Sequence, residues 1–77
     1  MTATLTTEAA PALAPDARVI TVDCKHGTTS LTLIPPRDPA AYKPHEAACV
    51  RLALLKHWSV EGCNCTRKLR QRYGLAS

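Results

Sequence analysis

The sequence has little of the material that builds a large hydrophobic core. Its 77 residues include no phenylalanine, one tryptophan and two tyrosines. A chain of this length makes one domain, and at roughly 60 folded residues a hydrophobic core alone gives only marginal stability. Domains of this size often add disulfides or a metal ion. The four cysteines and three histidines of this chain are the residues that can form disulfides or bind a metal ion.

The first residues lack the large apolar side chains that hold a chain in a fold. Residues 1–16 consist mainly of Thr, Ala and Pro, with Leu5 and Leu13 as larger apolar residues. Because such a segment buries too little surface to offset its ordering entropy, we predict a disordered tail over residues 1–16. A single small zinc-binding-like domain is then expected over residues 17–77.

The sequence also lacks the features of secretion and of membrane insertion. The first positively charged residue is Arg18, and no continuous apolar run precedes it, so no secretory signal is predicted. No segment approaches the roughly 20 apolar residues of a membrane span. We therefore expect a cytoplasmic protein, in a compartment where cysteine clusters bind metals more often than they form disulfides. The abundance of Ala, Arg and Thr without Phe is typical of high-GC genomes, such as those of actinobacteria or their phages.

Two segments rich in β-branched and aliphatic residues predict a β-hairpin. Arg18–Cys24 is followed by residues 31–34, and the intervening residues 25–30 contain a glycine. Because side chains alternate between the two faces of a strand, Ile20, Val22 and Cys24 share one face. Cys24 then lies at the end of the buried row, beside the turn.

The second half of the chain has the pattern of two helices. Pro44 suits the first position of a helix that runs from residue 45 to residue 59, with Gly62 as its stop. Its apolar residues form one stripe at helical spacing, made of Ala47, Ala48, Leu52, Leu54, Leu55 and Trp58. A shorter basic helix is predicted over residues 66–73. The predicted fold class is a small metal-stapled α+β domain, with a β-hairpin, one longer helix and a short C-terminal basic helix.

Two turns carry closely spaced metal-ligating residues. Cys63 and Cys65 flank a single asparagine just after the predicted long helix, and Cys24 and His26 flank a lysine at the end of a strand. Each turn also contains a glycine. A structural zinc site needs four sulfur or nitrogen ligands, and two such turns can supply them. The turns resemble those of zinc-ribbon and treble-clef modules, although their one-residue spacing departs from the usual C-x-x-C.

Helix geometry restricts which residues can share one ion. Cys49 and His57 lie eight positions apart on one helix, about 12 Å along its axis, so they cannot bind the same tetrahedral ion. His45 and Cys49 together offer only two ligands. We therefore predict one structural zinc ion held by Cys24, Cys63, Cys65 and His57, with His26 as the alternative fourth ligand.

Three other interpretations of the cysteines stay open at this stage. They are simple buried thiols, of which Cys49 is the best candidate, a disulfide such as Cys24 to Cys63, and a thiol redox pair of Cys63 with Cys65. An iron–sulfur cluster would need Cys49 as a fourth cysteine, which the helix geometry disfavours.

The positive charge of the chain is concentrated near its C-terminus. The formal net charge is +4, and the predicted second helix contains four cations and no acid: Arg67, Lys68, Arg70 and Arg72. On an exposed helix such residues suit contacts with nucleic-acid phosphates or with an acidic protein surface.

The sequence contains none of the common catalytic motifs that we considered. Glycine-rich phosphate loops, H-E-x-x-H and G-x-S-x-G are absent, and the carboxylates do not occur in pairs. A chain this short also has little room for a ligand pocket, so a small-molecule substrate is not expected. We predict a non-catalytic, zinc-stabilised regulator or adaptor that contacts nucleic acid. The alternative is a module that docks on a transcription or enzyme partner.

Overall fold

A three-stranded antiparallel sheet followed by a long and a short helix forms the part of the chain that the computed structural model describes, residues 3–9 and 17–75. The strands lie in the order β1, β2, β3, and α1 packs on β2 and β3. This arrangement confirms the predicted α+β class. The elements are β1 (Thr4–Ala9), β2 (Arg18–Cys24), β3 (Gly27–Leu33), a 3₁₀ turn (Pro39–Ala41), α1 (Tyr42–Glu61) and α2 (Arg67–Arg72).

The predicted hairpin is present, and its turn is shorter than expected. Cys24 pairs directly with Gly27, so that only Lys25 and His26 form the turn. The second strand therefore begins at Gly27 rather than at residue 31. Hydroxyl side chains support this longer pairing, because the Thr28 hydroxyl donates to Asp23 at 2.6 Å. The short turn matters for the site because it places Cys24 and His26 side by side.

A strand replaces part of the predicted disordered tail. Thr4–Ala9 pairs antiparallel with β2, with Leu5 opposite Val22, so the prediction is wrong for these residues. Threonine suits a strand, and Leu5 packs against the core, so backbone pairing compensates for the small apolar area. Residues 1, 2 and 10–16 of the predicted tail lie outside the described residues.

Helix α1 stops at the predicted Gly62, but it runs from Tyr42 to Glu61 and is longer at both ends than the predicted residues 45–59. Before it, the Asp38 carboxylate accepts a hydrogen bond from the Ala40 amide at 3.0 Å, which starts the 3₁₀ turn. The end is set by Gly62, whose left-handed φ of 60° suits glycine. Its amide donates to the Trp58 carbonyl at 2.8 Å and turns the chain back towards the sheet. Helix α2 lies within the predicted range of residues 66–73.

The buried face of α1 differs from the predicted stripe. The residues that face the sheet are Val50, Ala53, Leu54 and His57, whereas Leu52 and Leu55 are 56% and 40% exposed. Both faces of the helix carry apolar residues, so spacing alone does not select between them. Packing against the sheet selects the face that brings His57 next to Cys24.

The hydrophobic core is small, as the composition predicts. It lies between one face of the sheet and α1. Its cluster consists of Ile20, Val22, Leu33, Val50, Ala53 and Leu54.

Candidate metal centre

The two ligand-bearing turns have the same local construction. In the hairpin turn, the His26 amide donates to the Cys24 sulfur at 3.4 Å. In the segment after α1, the Cys65 amide donates to the Cys63 sulfur at 3.2 Å. In each case the amide two residues after a cysteine points at its sulfur. Such hydrogen bonds favour the thiolate, the form of cysteine that binds metals.

The fold brings these two turns together. One donor atom from each of Cys24, His26, Cys63 and Cys65 lies within 4.8 Å of every other. The close pairs cross between the turns: the Cys24 and Cys63 sulfur atoms are 3.0 Å apart, and the Cys65 sulfur is 3.4 Å from His26 Nδ1. These four residues therefore lie close enough to hold a metal ion.

The distances can be compared with the edges of a zinc tetrahedron. Zinc bonds to sulfur and to histidine nitrogen give edges of roughly 3.8 Å between two sulfurs and roughly 3.6 Å between sulfur and nitrogen. His26 Nδ1 lies 3.7 Å from the Cys24 sulfur and 3.4 Å from that of Cys65, close to the second value. The Cys24–Cys63 pair is closer than the first value and would separate by about 0.8 Å around zinc.

The four cysteines within the described residues are all free thiols. The 3.0 Å between the sulfurs of Cys24 and Cys63 exceeds the roughly 2.05 Å of a disulfide bond. The pair that the sequence suggested for a disulfide is thus adjacent in space and not bonded.

The two candidate histidines occupy different places. His26, the alternative in the sequence-based prediction, is exposed and is the fourth member of the group with the three cysteines. His57, the fourth ligand that the sequence-based prediction preferred, is fully buried. Its Nε2 lies 3.1 Å from the Cys24 sulfur, and its Nδ1 lies 3.0 Å from the Thr29 hydroxyl oxygen. His57 therefore contacts the group through Cys24.

Thr29 is a residue of this site that the sequence analysis did not single out. It lies opposite Val22 in the sheet and so shares the core-facing side. The alternation that places Leu31 and Leu33 on the buried face also includes Thr29, which is the sequence feature that identifies its position.

The surroundings of Cys24 act on its thiol in opposite directions. Desolvation by burial raises the pKa of Cys24 most strongly, and the hydrogen bond with Cys63 raises it further. Hydrogen bonds from His57 and from the amide and ring of His26 lower it. The lowering contributions prevail, so the pKa of Cys24 is below its ordinary value. The site thus favours the metal-binding form of this cysteine.

Cys49 stands apart from the group, as the helix geometry predicts. It is half-buried, packs against the core, and lies 3.7 Å from His45 Nε2. Burial raises the pKa of the Cys49 thiol. The imidazole of His45 is also 2.8 Å from the Ile34 carbonyl oxygen, which ties the start of α1 to the end of β3. These contacts give both residues a structural role.

The basic helix presents fewer cations than expected. Arg67, Lys68 and Arg72 are exposed, but Arg70 is only 2% exposed, so its predicted place on a binding surface is wrong. Its guanidinium carbon lies 3.8 Å from the centre of the Trp58 ring, and its Nε donates to the Thr66 hydroxyl at 3.1 Å. Arg70 thus fastens α2 to α1.

No protein-family model, curated protein or solved structure matches this chain. Within residues 3–9 and 17–75, no helix has the length and apolar character needed to cross a membrane. The fold and the site define a small α+β domain with a group of three cysteines and one histidine that can bind a metal ion.

Proposed function

We propose that this protein is a small zinc-stabilised binding module and not an enzyme. The convergence of Cys24, His26, Cys63 and Cys65 carries the proposal. Three thiolates with one imidazole suit zinc, and four protein ligands close its tetrahedral shell. A closed shell leaves no position for a substrate, so the ion would serve the fold. A reducing compartment such as the cytoplasm would keep these thiols available.

One surface groove of the domain lacks the side chains that catalysis commonly uses. A shallow groove of about 300 Å³ is lined by Arg18, Tyr42 and three prolines, namely Pro35, Pro36 and Pro39. These lining residues include no carboxylate, histidine or cysteine, so they offer none of the usual groups for acid–base or nucleophilic catalysis.

Metal binding is testable with the cysteines as reporters. We expect native mass spectrometry to find one zinc per chain, and bound zinc to protect Cys24, Cys63 and Cys65 from alkylation by iodoacetamide. Cys49 is the internal control: iodoacetamide should still alkylate it in the metal-loaded, folded protein. A metal-free chain whose mass is lower by two hydrogens would instead show a disulfide.

The partner that we propose is nucleic acid, contacted through the exposed side of α2. Arg67, Lys68 and Arg72 supply three cations, and no acidic residue lies within this helix. Substituting all three with alanine should weaken binding to a short duplex DNA of mixed sequence. It should also reduce the slope of log affinity against log salt by roughly 2 to 3, because each cation that contacts a phosphate releases a counterion. Fluorescence anisotropy across a salt series measures both effects.

A matched variant removes the same charge elsewhere. Arg37, Lys43 and Arg51 are exposed outside α2, and their joint replacement with alanine should change the salt slope less. Equal effects of the two triple variants would show that net charge, rather than α2, attracts the DNA.

Docking on a protein partner is the second candidate function. Leu52, Leu55 and Val60 of α1 are exposed, and Val60 is 71% exposed. Such residues suit a protein contact that persists at high salt. Loss of a partner on replacing Leu52 and Leu55 with serine, without change on replacing the α2 cations, would favour this second function.

A further inference from the structure

His57 is a buried histidine whose two ring nitrogens both have polar neighbours. It lies in the second half of α1 with no exposed surface. Its Nε2 is 3.1 Å from the Cys24 sulfur on β2, and its Nδ1 is 3.0 Å from the Thr29 hydroxyl on β3. The imidazole therefore spans from the neighbouring strand to the cysteine cluster.

The chemistry of the three groups sets the direction of these hydrogen bonds. A Cys24 thiolate can only accept, so His57 Nε2–H must donate to it. In a neutral imidazole, Nδ1 then has no hydrogen and accepts from the Thr29 hydroxyl. The thiolate thus sets the tautomer, and Thr29, held in the ladder opposite Val22, fixes the orientation of the ring from the sheet.

The same contacts indicate that His57 is not itself one of the metal ligands. Four donors already come from Cys24, His26, Cys63 and Cys65, the number that a structural zinc ion takes. Both nitrogens of His57 lie within hydrogen-bonding distance of other groups. His57 could bind the ion only by giving up its contact with the Cys24 sulfur.

We propose that His57 is a positioning residue for the zinc site: its Nε2–H holds the Cys24 thiolate, and Thr29 holds the imidazole ring in place through Nδ1. This role rests on the proposed zinc-binding function. The hydrogen bond orients the sulfur towards the ion and withdraws part of its negative charge. Groups that hold metal ligands in this way typically contribute 10–100-fold in metal affinity.

Paired substitutions separate positioning from ligation. In His57→Gln, the side-chain amide keeps an N–H that can donate to sulfur, whereas His57→Leu keeps apolar volume and has no donor. We expect His57→Leu to lower zinc affinity about 10–100-fold and His57→Gln to stay nearer to wild type. His26→Gln, which removes a ligand, should cost more than either. Competition with a chromophoric chelator measures these affinities.

The spectrum of the cobalt-substituted protein gives a readout that a purely structural role would not move. Loss of the N–H···S hydrogen bond makes the thiolate a better electron donor. The sulfur-to-cobalt charge-transfer band of His57→Leu should therefore move to lower energy, with the tetrahedral ligand-field bands kept. Thr29→Val should shift the band in the same direction by a smaller amount. It supplies the test if His57→Leu does not fold.

Each contrary outcome has a distinct meaning. The first contrary outcome is that the cobalt ligand-field bands of both His57 variants show the loss of a nitrogen ligand, whereas those of His26→Gln match the wild type. His57 would then be a ligand, and the positioning role would be wrong. Wild-type affinity and an unshifted band in His57→Leu, or in Thr29→Val where that variant replaces it, would also overturn the role, with the zinc site intact. A wild-type chain that binds neither zinc nor cobalt would reject the zinc module itself.

Discussion

Removing the metal ion with a chelator is expected to unfold most of the protein. The core cluster has no aromatic residue and comprises Ile20, Val22, Leu33, Val50, Ala53 and Leu54. Zinc in small structural sites contributes on the order of 10 kcal/mol of binding free energy, which is also folding free energy. Even the entropy of closing a loop of this size, between Cys24 and Cys63, is worth about 4 kcal/mol. Circular dichroism should show loss of the cooperative thermal transition after chelation.

Two cysteine variants test this expectation without a chelator. Cys63→Ala removes a fully buried member of the group, and it should melt like the chelated wild-type protein. Cys49→Ala removes a thiol outside the group, so the melting of this variant should still respond to zinc and to chelator. Its stability should fall only by the smaller cost of truncating a side chain that packs on the core. A chelated wild-type chain that still melts cooperatively, within a few degrees of the loaded form, would contradict the prediction.

The second large effect is expected at Arg70. Its guanidinium stacks on Trp58 at 3.8 Å and its Nε bonds to Thr66, so Arg70→Ala removes a cation–π contact and leaves a cavity. These losses together predict about 2–4 kcal/mol of destabilisation. Its Nη1 is buried with no hydrogen-bond partner among residues 3–9 and 17–75, which offsets part of the loss because that burial is itself unfavourable. Urea unfolding, followed by the fluorescence of Trp58, measures the change.

Other substitutions divide the effect of Arg70 into its parts. Arg72→Ala removes an exposed cation from the same helix and should change stability by less than about 0.5 kcal/mol. Arg70→Met keeps a long side chain over the tryptophan without charge, and should recover more than half of the loss. Equal stability of Arg70→Ala and Arg72→Ala would show that the stacked arrangement contributes nothing.

The hairpin was predictable because its signal is local, whereas strand β1 was not. Alternating residues such as Ile20 and Val22 identify a half-buried strand without knowledge of its neighbours. Thr4–Ala9 contributes Leu5 to the packing around the core, and it becomes a strand because β2 offers it an edge. That edge is a property of the folded sheet, so composition alone indicates a tail.

The sequence predicted the two turns that form the site, but not which histidine completes the group of three cysteines. Spacing identified Cys24, Cys63 and Cys65, because each lies in a short turn at the end of a helix or strand. The choice between His26 and His57 depends on the length of the hairpin turn and on which face α1 buries. The same limit applies to Arg70, whose burial requires the position of Trp58 on the neighbouring helix.

The construction of the two turns also has a consequence for the order of assembly. Cys24 with His26, and Cys63 with Cys65, each place two donor atoms close together in sequence. On the zinc function proposed above, each pair would act as a weak, independent chelate in the unfolded chain, and folding would join the two around one ion. Excess zinc would then load each pair separately, and at high protein concentration one ion would join the halves of two chains. We therefore expect productive folding to be favoured by one equivalent of metal and by dilution.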